Sequence, residues 1–319
     1  MQGRPFPAGP GEWLRCQLHC HTTNSDGDAT PAELCAHYAR LGFDVLAITD
    51  HWHVTRHEHP GLLTLPGSEL SCRHPGPVGE AEALALGVAT LPEPRERFAD
   101  LETMAAWITG QGGVPVLNHP YWSGIAGTDV LSAPSVVAVE IWNGGSEVTQ
   151  GNGLSTVHWD AALSAGRMVW GVATDDCHRP GEDSGIGWTW VRAAERTPEA
   201  VLDALRRGDS YGSAGPRIEA VEVAEEAVEV RSSPAASVRL RSGPWDGCAV
   251  NAAAGWGDYG GQAVGRDASG LVTAARFDYP EYWRWARVEV EDERGRRAWG
   301  NPFRLPGEEP ASKPGAFDY

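Results

Sequence analysis

With 319 residues the chain is about twice a typical single domain, long enough for one catalytic domain and a smaller partner. Its 43 acidic against 26 basic residues leave a formal net charge of -17, which repels a phosphate backbone, and no Lys/Arg-rich run reverses that field locally, so nucleic acid is excluded as a partner. No apolar segment follows Arg4, and no later stretch approaches the roughly 18 to 20 apolar residues of a membrane span; the sequence predicts a soluble cytoplasmic protein acting on a small molecule, with no membrane partner and an oligomeric state that composition leaves open.

From residue 14 to about 215, short apolar runs alternate with helical segments, the pattern of a parallel α/β architecture. Strands are predicted at 14–21, 43–49, 62–65, 83–88, 114–118, 136–142 and 168–174, each near-continuously apolar as for strands covered on both faces. Between the first two, Thr30-Pro31-Ala32-Glu33 reads as a capping box with Pro at the first helical position, and Gly42 closes that helix. Further helices are predicted at 94–109, 158–165 and 197–207, the last opened by Thr-Pro-Glu and closed by Gly208. After Gly215-Pro216 the runs IEAVEV, AVEVRS, SVRLRS, LVTAARF and ARVEVEDERG alternate in period two, which predicts a small antiparallel β-sandwich domain over 217–319, with a frayed tail from Pro306. Six cysteines (Cys16, Cys20, Cys35, Cys72, Cys177 and Cys248) form no C-x-x-C pair and read as reduced, buried small hydrophobes.

Metal-binding residue types fall at the C-terminal ends of the predicted strands. His19 and His21 follow the first, Asp50 and His51 the second, Glu69 lies just past the third, His119 follows VPVLN, Glu140 lies within VVAVEIWN, and Asp176 and His178 follow VWGVAT. In a barrel those ends converge on the face where such folds build active sites. His-x-His on a strand sets two imidazoles on one side, about 6.6 Å apart in rise, and Asp176-x-His178 repeats the device. Cys20 and Cys177 then point away from the metal. Imidazole mixed with carboxylate suits Zn, Mn or Fe. His53 is a candidate proton donor to a leaving group, Arg179 a candidate partner for an anionic substrate group, and Asn143 and Trp122 are candidate pocket residues.

The series HCHTTNSDG, ITDH, LPGSEL, LNHP and TDDCH resembles, in order and spacing, the PHP (polymerase and histidinol phosphatase) superfamily. That resemblance implies a distorted (β/α)7 TIM-like barrel over 1–216 with a centre of two or three divalent cations (Zn, Mn or Fe). It implies a first metal held by His19, His21, Glu69 and Asp176, a second bridged to it by Glu69 and held by His119, and a third held by Asp26, His51 and His178. Where the superfamily supplies a histidine before the ALALGV strand, this chain has Glu82; His74, in the loop SCRHPGPVGE, is the other candidate for that position, and the third outcome is that neither reaches it, leaving an open coordination position. VEIWNG, HWDAALSAGR, WTWVRA, ALRRGDSYGSAGP and RVEVEDERGRRAWGNPF look more narrowly like the CehA/McbA-type metallohydrolases. The superfamily resemblance favours hydrolysis of a phosphoester; the narrower one, with few Lys or Arg beside the metal motifs, favours a carboxyl-type ester, carbamate or amide. A third reading is a non-enzymatic, metal-dependent binding protein.

Overall fold

The structure, a computed structural model, describes residues 6, 11–92, 98–252 and 257–306. Its contacts divide the chain into two compact units at Gly215-Pro216. The predicted helix over 94–109 begins among residues outside the described ones, as does the predicted frayed tail beyond residue 306. Among the described residues no helix is long and apolar enough to cross a membrane.

The first unit runs β1 (Glu12–Gln17), α1 (Pro31–Arg40), β2 (Val45–Ile48), β3 (Leu63–Pro66), β4 (Glu69–Arg73), β5 (Glu80–Leu86), α2 (Leu101–Gly110) and β6 (Val114–Leu117). It continues through α3 (Pro120–Ser123), α4 (Asp129–Ser132), β7 (Ala138–Asn143), α5 (Gly144–Gln150), α6 (Thr156–Ser164), β8 (Trp170–Thr174), β9 (Trp188–Ala193), α7 (Pro198–Arg207) and β10 (Ser210–Ser213). The α1 capping box forms as the sequence predicts, with Thr30 accepting from Glu33 N–H and Glu33 reaching back to Thr30 N–H. α7 opens on the Thr197 cap and ends at Gly208, whose φ of +75° is the left-handed position glycine takes without strain.

The strands form a mixed α/β arrangement rather than the uniformly parallel set the sequence suggested, and their ladders do not trace a closed seven-stranded barrel. One sheet runs β3-β2-β1-β9-β10, with β1, β2 and β3 parallel and β9 antiparallel to both its neighbours; the other runs β4-β5-β6-β7-β8, with β5 antiparallel to β4 and β6. The loop between β4 and β5 explains the reversal: residues 74–79 suffice for a hairpin, whereas a parallel crossover needs a dozen or more. The two sheets share one apolar interior, to which β1, β2, β3, β5, β6, β7, β8 and β9 contribute side chains such as Leu14, Val45, Leu65, Leu84, Val116, Ala138, Val172 and Val191; Val201, Leu202, Ala204 and Leu205 of α7 pack into it.

The second unit carries β11 (Ile218–Val223), β12 (Ala227–Ala235), β13 (Ser237–Arg241), β14 (Gly247–Asn251), β15 (Gly261–Arg266), β16 (Val272–Asp278), β17 (Trp285–Glu291), β18 (Arg297–Gly300) and β19 (Phe303–Arg304). These pair antiparallel, as β11-β12-β16-β15 and as β14-β13-β17-β18 with β19 on β17. Alternation buries Val228, Val230 and Phe277 of the first set and Val238, Leu240, Val288 and Val290 of the second.

Candidate metal centre

Five chain segments bring the predicted ligands together. Beyond β1 the chain stays extended through His19-Cys20-His21, and its pairing with Cys177 sends both histidines to one side and buries Cys20 in the apolar cluster behind, with Leu34, Tyr38 and Ile48. The loop that carries Asp26 folds back on His21 so closely that a Cβ at Gly27 would lie 2.5 Å from the His21 carbonyl carbon, so only glycine fits there. Asp50, flagged by its position at a strand end, is no candidate ligand: its buried carboxylate accepts from Thr22 N–H at 2.6 Å, from Thr22 and Ser25 hydroxyls at 2.8 Å and from Thr55, which fixes that loop. Glu69 opens β4, His119 follows β6, and Asp176 and His178 follow β8.

Three groups of donor atoms result: His19, His21, Glu69 and Asp176; His21, Asp26, His51 and His178; and His51, Glu69 and Glu82. In the first, His19 Nε2 lies 3.1 Å from Glu69 Oε2, 3.2 Å from Asp176 Oδ1 and 3.2 Å from His21 Nε2, and His21 Nε2 lies 3.2 Å from each carboxylate. Ligands about 2.0–2.1 Å from a tetrahedral ion stand about 3.3 Å apart by geometry, so four donors at this spacing are set around a cation-sized point. In the second group, Asp26 lies 3.4 Å from His21 Nδ1, 3.5 Å from His51 Nε2 and 3.4 Å from His178 Nε2. In the third, His51 Nδ1 lies 3.4 Å from Glu69 Oε2 and 4.0 Å from Glu82 Oε1, while His119 Nε2 approaches Glu69 Oε1 at 3.3 Å and Glu82 Oε2 at 3.7 Å.

The donors fit a cation by their own chemistry. Asp176 Oδ1 is buried and has no well-aligned hydrogen bond, facing only the His19 and His21 Nε2 atoms at 3.2 Å, a costly state for a carboxylate oxygen unless a metal ion or protons on those rings supply positive charge. His19 Nδ1 lies 3.0 Å from Glu140 Oε1, which only accepts, so Nδ1 carries the proton and a neutral His19 turns the Nε2 lone pair towards Glu69 and Asp176. His119 and Asp176 sit at φ +23° and +54°, rare for side-chain-bearing residues and characteristic of functional sites where the surroundings enforce them. Without metal, protons supply the charge that the carboxylates call for. Burial alone lowers the His21 and His119 pKa values, but Asp176 and Glu69 at His21, and Glu69 at His119, outweigh it and push both up to about 9. Burial, followed by the Glu69 charge, pushes the Glu82 carboxyl up to about 7.

The structure also sorts the remaining candidates. Glu82 enters the site because β5 runs antiparallel, which delivers the start of that strand, rather than a position before it, to the ligand face. His74 does not enter: its Nε2 pairs with Asp129 at the start of α4 at 3.2 Å and its Nδ1 accepts from Gly76 N–H in its own loop. His53 is exposed and lies outside the residues lining the cavity. Asn143 is buried rather than at the cavity wall; its Nδ2 donates to Glu140 Oε2 at 2.8 Å and Asp176 Oδ2 at 3.0 Å while its Oδ1 caps α5, so it positions a ligand. Trp122 and Arg179 line a cavity of about 710 Å³ above the ligands. The sequence flags Glu140 only as a metal-binding type on a strand and gives no role to Asn118; in the structure Glu140 supports the ligands, accepting also from His119 N–H at 2.8 Å, and the Asn118 amide donates to Glu69 Oε1 at 2.5 Å, with the position of Asn118 next to His119 the available signal.

No family model matches the chain. It is 38% identical over 119 residues to an error-prone DNA polymerase of Cutibacterium acnes (strain DSM 16379 / KPA171202), a match covering 32% of this chain and 10% of the relative, so the chain spans about a tenth of the curated protein it matches. Among solved structures it resembles a two-domain protein of Bacteroides vulgatus ATCC 8482 containing a predicted PHP-like metal-dependent phosphoesterase, with a TM-score of 0.51, 14% identity and coverage of 96% of this chain and 99% of the other. An amidohydrolase of Chromobacterium violaceum follows at a TM-score of 0.41 and 17% identity, covering 53% of this chain and 89% of that one. At 14% identity the Bacteroides likeness establishes a shared two-domain fold with a PHP-like protein.

Proposed function

We propose that the chain is a metal-dependent phosphoesterase of the PHP type, with residues 1–216 as a distorted catalytic barrel and 217–319 as a β-sandwich companion. The CehA/McbA-like motifs suggest the branch to which it belongs. The observation that carries the proposal is the convergence of three donor groups that share His21, His51 and Glu69, with the buried Asp176 Oδ1 completing the first of them. His19, His21, Glu69 and Asp176 would hold one cation, His119 and Glu82 with Glu69 a second, and Asp26, His51 and His178 a third. Bound there, Zn, Mn or Fe would lower the pKa of a shared water and polarise phosphoryl oxygens. Glu140 fixes the His19 tautomer, Asn143 holds Asp176 through Oδ2, and Asn118 holds Glu69 through Oε1. Arg179, on the wall, is placed to receive an anionic substrate oxygen.

A second reading, hydrolysis of a carboxyl-type ester, carbamate or amide, is favoured by the acidic cavity wall, where Asp28, Glu182 and Asp183 accompany Arg179. The metal-loaded protein should be screened in parallel on p-nitrophenyl phosphate and on p-nitrophenyl acetate and aryl carbamates, before and after chelation. Chelator-sensitive release from the phosphate is expected; turnover of the acetate or carbamates alone would transfer the assignment to the second reading.

A further inference from the structure

Beyond the ligands, the cavity wall divides by character. Trp122, on α3, is 38% exposed, and Val148, on α5, is 53% exposed; both line the cavity. Neither side chain is free to drift far from the metal site. α3 starts on His119, whose Nδ1 lies 3.0 Å from Ser123 Oγ at the end of that helix, and the Trp122 ring meets the His119 ring edge-on at 5.0 Å and 72°. α5 starts on Asn143, which also holds Asp176. An indole and an isopropyl group thus stand at the cavity wall on helices that begin at a candidate ligand, His119, and at a ligand support, Asn143, where an apolar part of a substrate would cover them.

The polar wall has the opposite sense for charge. Among the described residues Arg179 is the single Arg or Lys that lines the cavity, its side chain is 62% exposed, and Asp28 at 4.0 Å and Glu182 at 3.8 Å already share it. Asp183, also at the wall, is committed to Arg179 N–H and His178 N–H at 2.9 Å. A substrate whose phosphoryl group meets the cations and Arg179 therefore finds no further cationic subsite among the described residues, and any additional negative charge would face Asp28 and Glu182.

We propose that Trp122 is a specificity-determining residue and that the substrate class is a phosphoester with one phosphoryl group and an uncharged, flat apolar leaving group, not a bisphosphate or polyphosphate. This deepens the phosphoesterase proposal and rests on it. The flat ring lies against the Trp122 indole and Val148 while the phosphoryl end occupies the ligand face. Binding is gained from stacking and apolar burial, of which Trp122 supplies the larger share.

Phenylphosphonate and methylphosphonate, which share the anionic head and resist hydrolysis, separate the two contributions. Their affinities for the metal-loaded protein should be measured by calorimetry for the parent, Trp122→Ala and Trp122→Phe, with the metal content of each checked by elemental analysis. The parent is expected to bind phenylphosphonate about tenfold more tightly, Trp122→Ala to bring the two within about twofold, and Trp122→Phe to restore most of the difference. An equal preference in parent and Trp122→Ala, each fully metal-loaded, would overturn the role of Trp122 and leave the phosphoesterase proposal standing. Binding of neither phosphonate to the loaded parent would overturn both.

Discussion

Glu140 offers a sharp test of the candidate centre because it touches no substrate and is 0% exposed, yet four donors converge on it. Oε1 receives His19 Nδ1 and Thr174 Oγ1, and Oε2 receives His119 N–H and Asn143 Nδ2. Glu140→Gln keeps the shape but replaces one acceptor with an NH2 group. Turned one way, the amide leaves His119 N–H and Asn143 Nδ2 facing a donor, at about 1–3 kcal/mol for each buried group left unsatisfied. Turned the other way it confronts His19, whose ring escapes by moving its proton to Nε2, where the lone pair must meet the metal. Either outcome weakens the first site. Losing an outer carboxylate behind a ligating histidine costs about 10- to 100-fold in metal affinity, or about 1.4–2.7 kcal/mol. Competition titration against a chromogenic zinc chelator reads this directly, and circular dichroism confirms that the variant is folded. A folded Glu140→Gln protein binding zinc within twofold of the parent would refute the assignment of His19 as an oriented ligand.

Two further predictions follow from the same site. Glu82→Ala is expected to lose about one equivalent of metal and His74→Ala none, because β5 carries Glu82 to His119 and His51 whereas His74 is held by Asp129; Glu82→His should shift preference from Mn towards Zn, and elemental analysis after loading from mixed metals checks all three. Metal uptake should also release protons. His21 and His119 have metal-free pKa values pushed up to about 9 and must be neutral to ligate, so below that pH binding displaces their protons, and affinity rises as pH rises towards about 9. Calorimetry at pH 7.5 in buffers of different ionisation enthalpy measures the number released, and a value of zero would contradict the protonated metal-free cluster.

Much of the first unit was legible because it obeys local rules. The Thr30 box, the Thr197 cap and the continuous apolar strands carry their signals within a few residues. What escaped were elements whose burial does not show as an apolar run. β4 reads ELSCR, with Glu69 and Ser71 alternating with Leu70 and Cys72; all four are buried, so half of a buried strand is written in polar letters. β9 reads WTWVRA and alternates rather than running apolar, as do β14 and β15 in the second unit. A search for continuous hydrophobicity passes over such strands, and missing β4 also hides the hairpin that reverses β5.

The ligands were legible for a different reason from the residues that support them. A metal ligand must be His, Asp or Glu, and backbone alternation fixes its spacing, so His19-Cys20-His21 announces itself in one dimension. A supporting residue need only supply an acceptor or donor at one point, and chain distance does not constrain it: Glu140 reaches His19 across 121 positions and Asn118 reaches Glu69 across 49. Asn143 shows the consequence most directly. Its place at the end of β7 suggested a pocket wall, but the same side chain caps α5, donates to Glu140 and steadies Asp176, so a single amide links the helix that bears Val148 to a carboxylate of the first donor group. The apolar wall and the metal site are therefore mechanically joined.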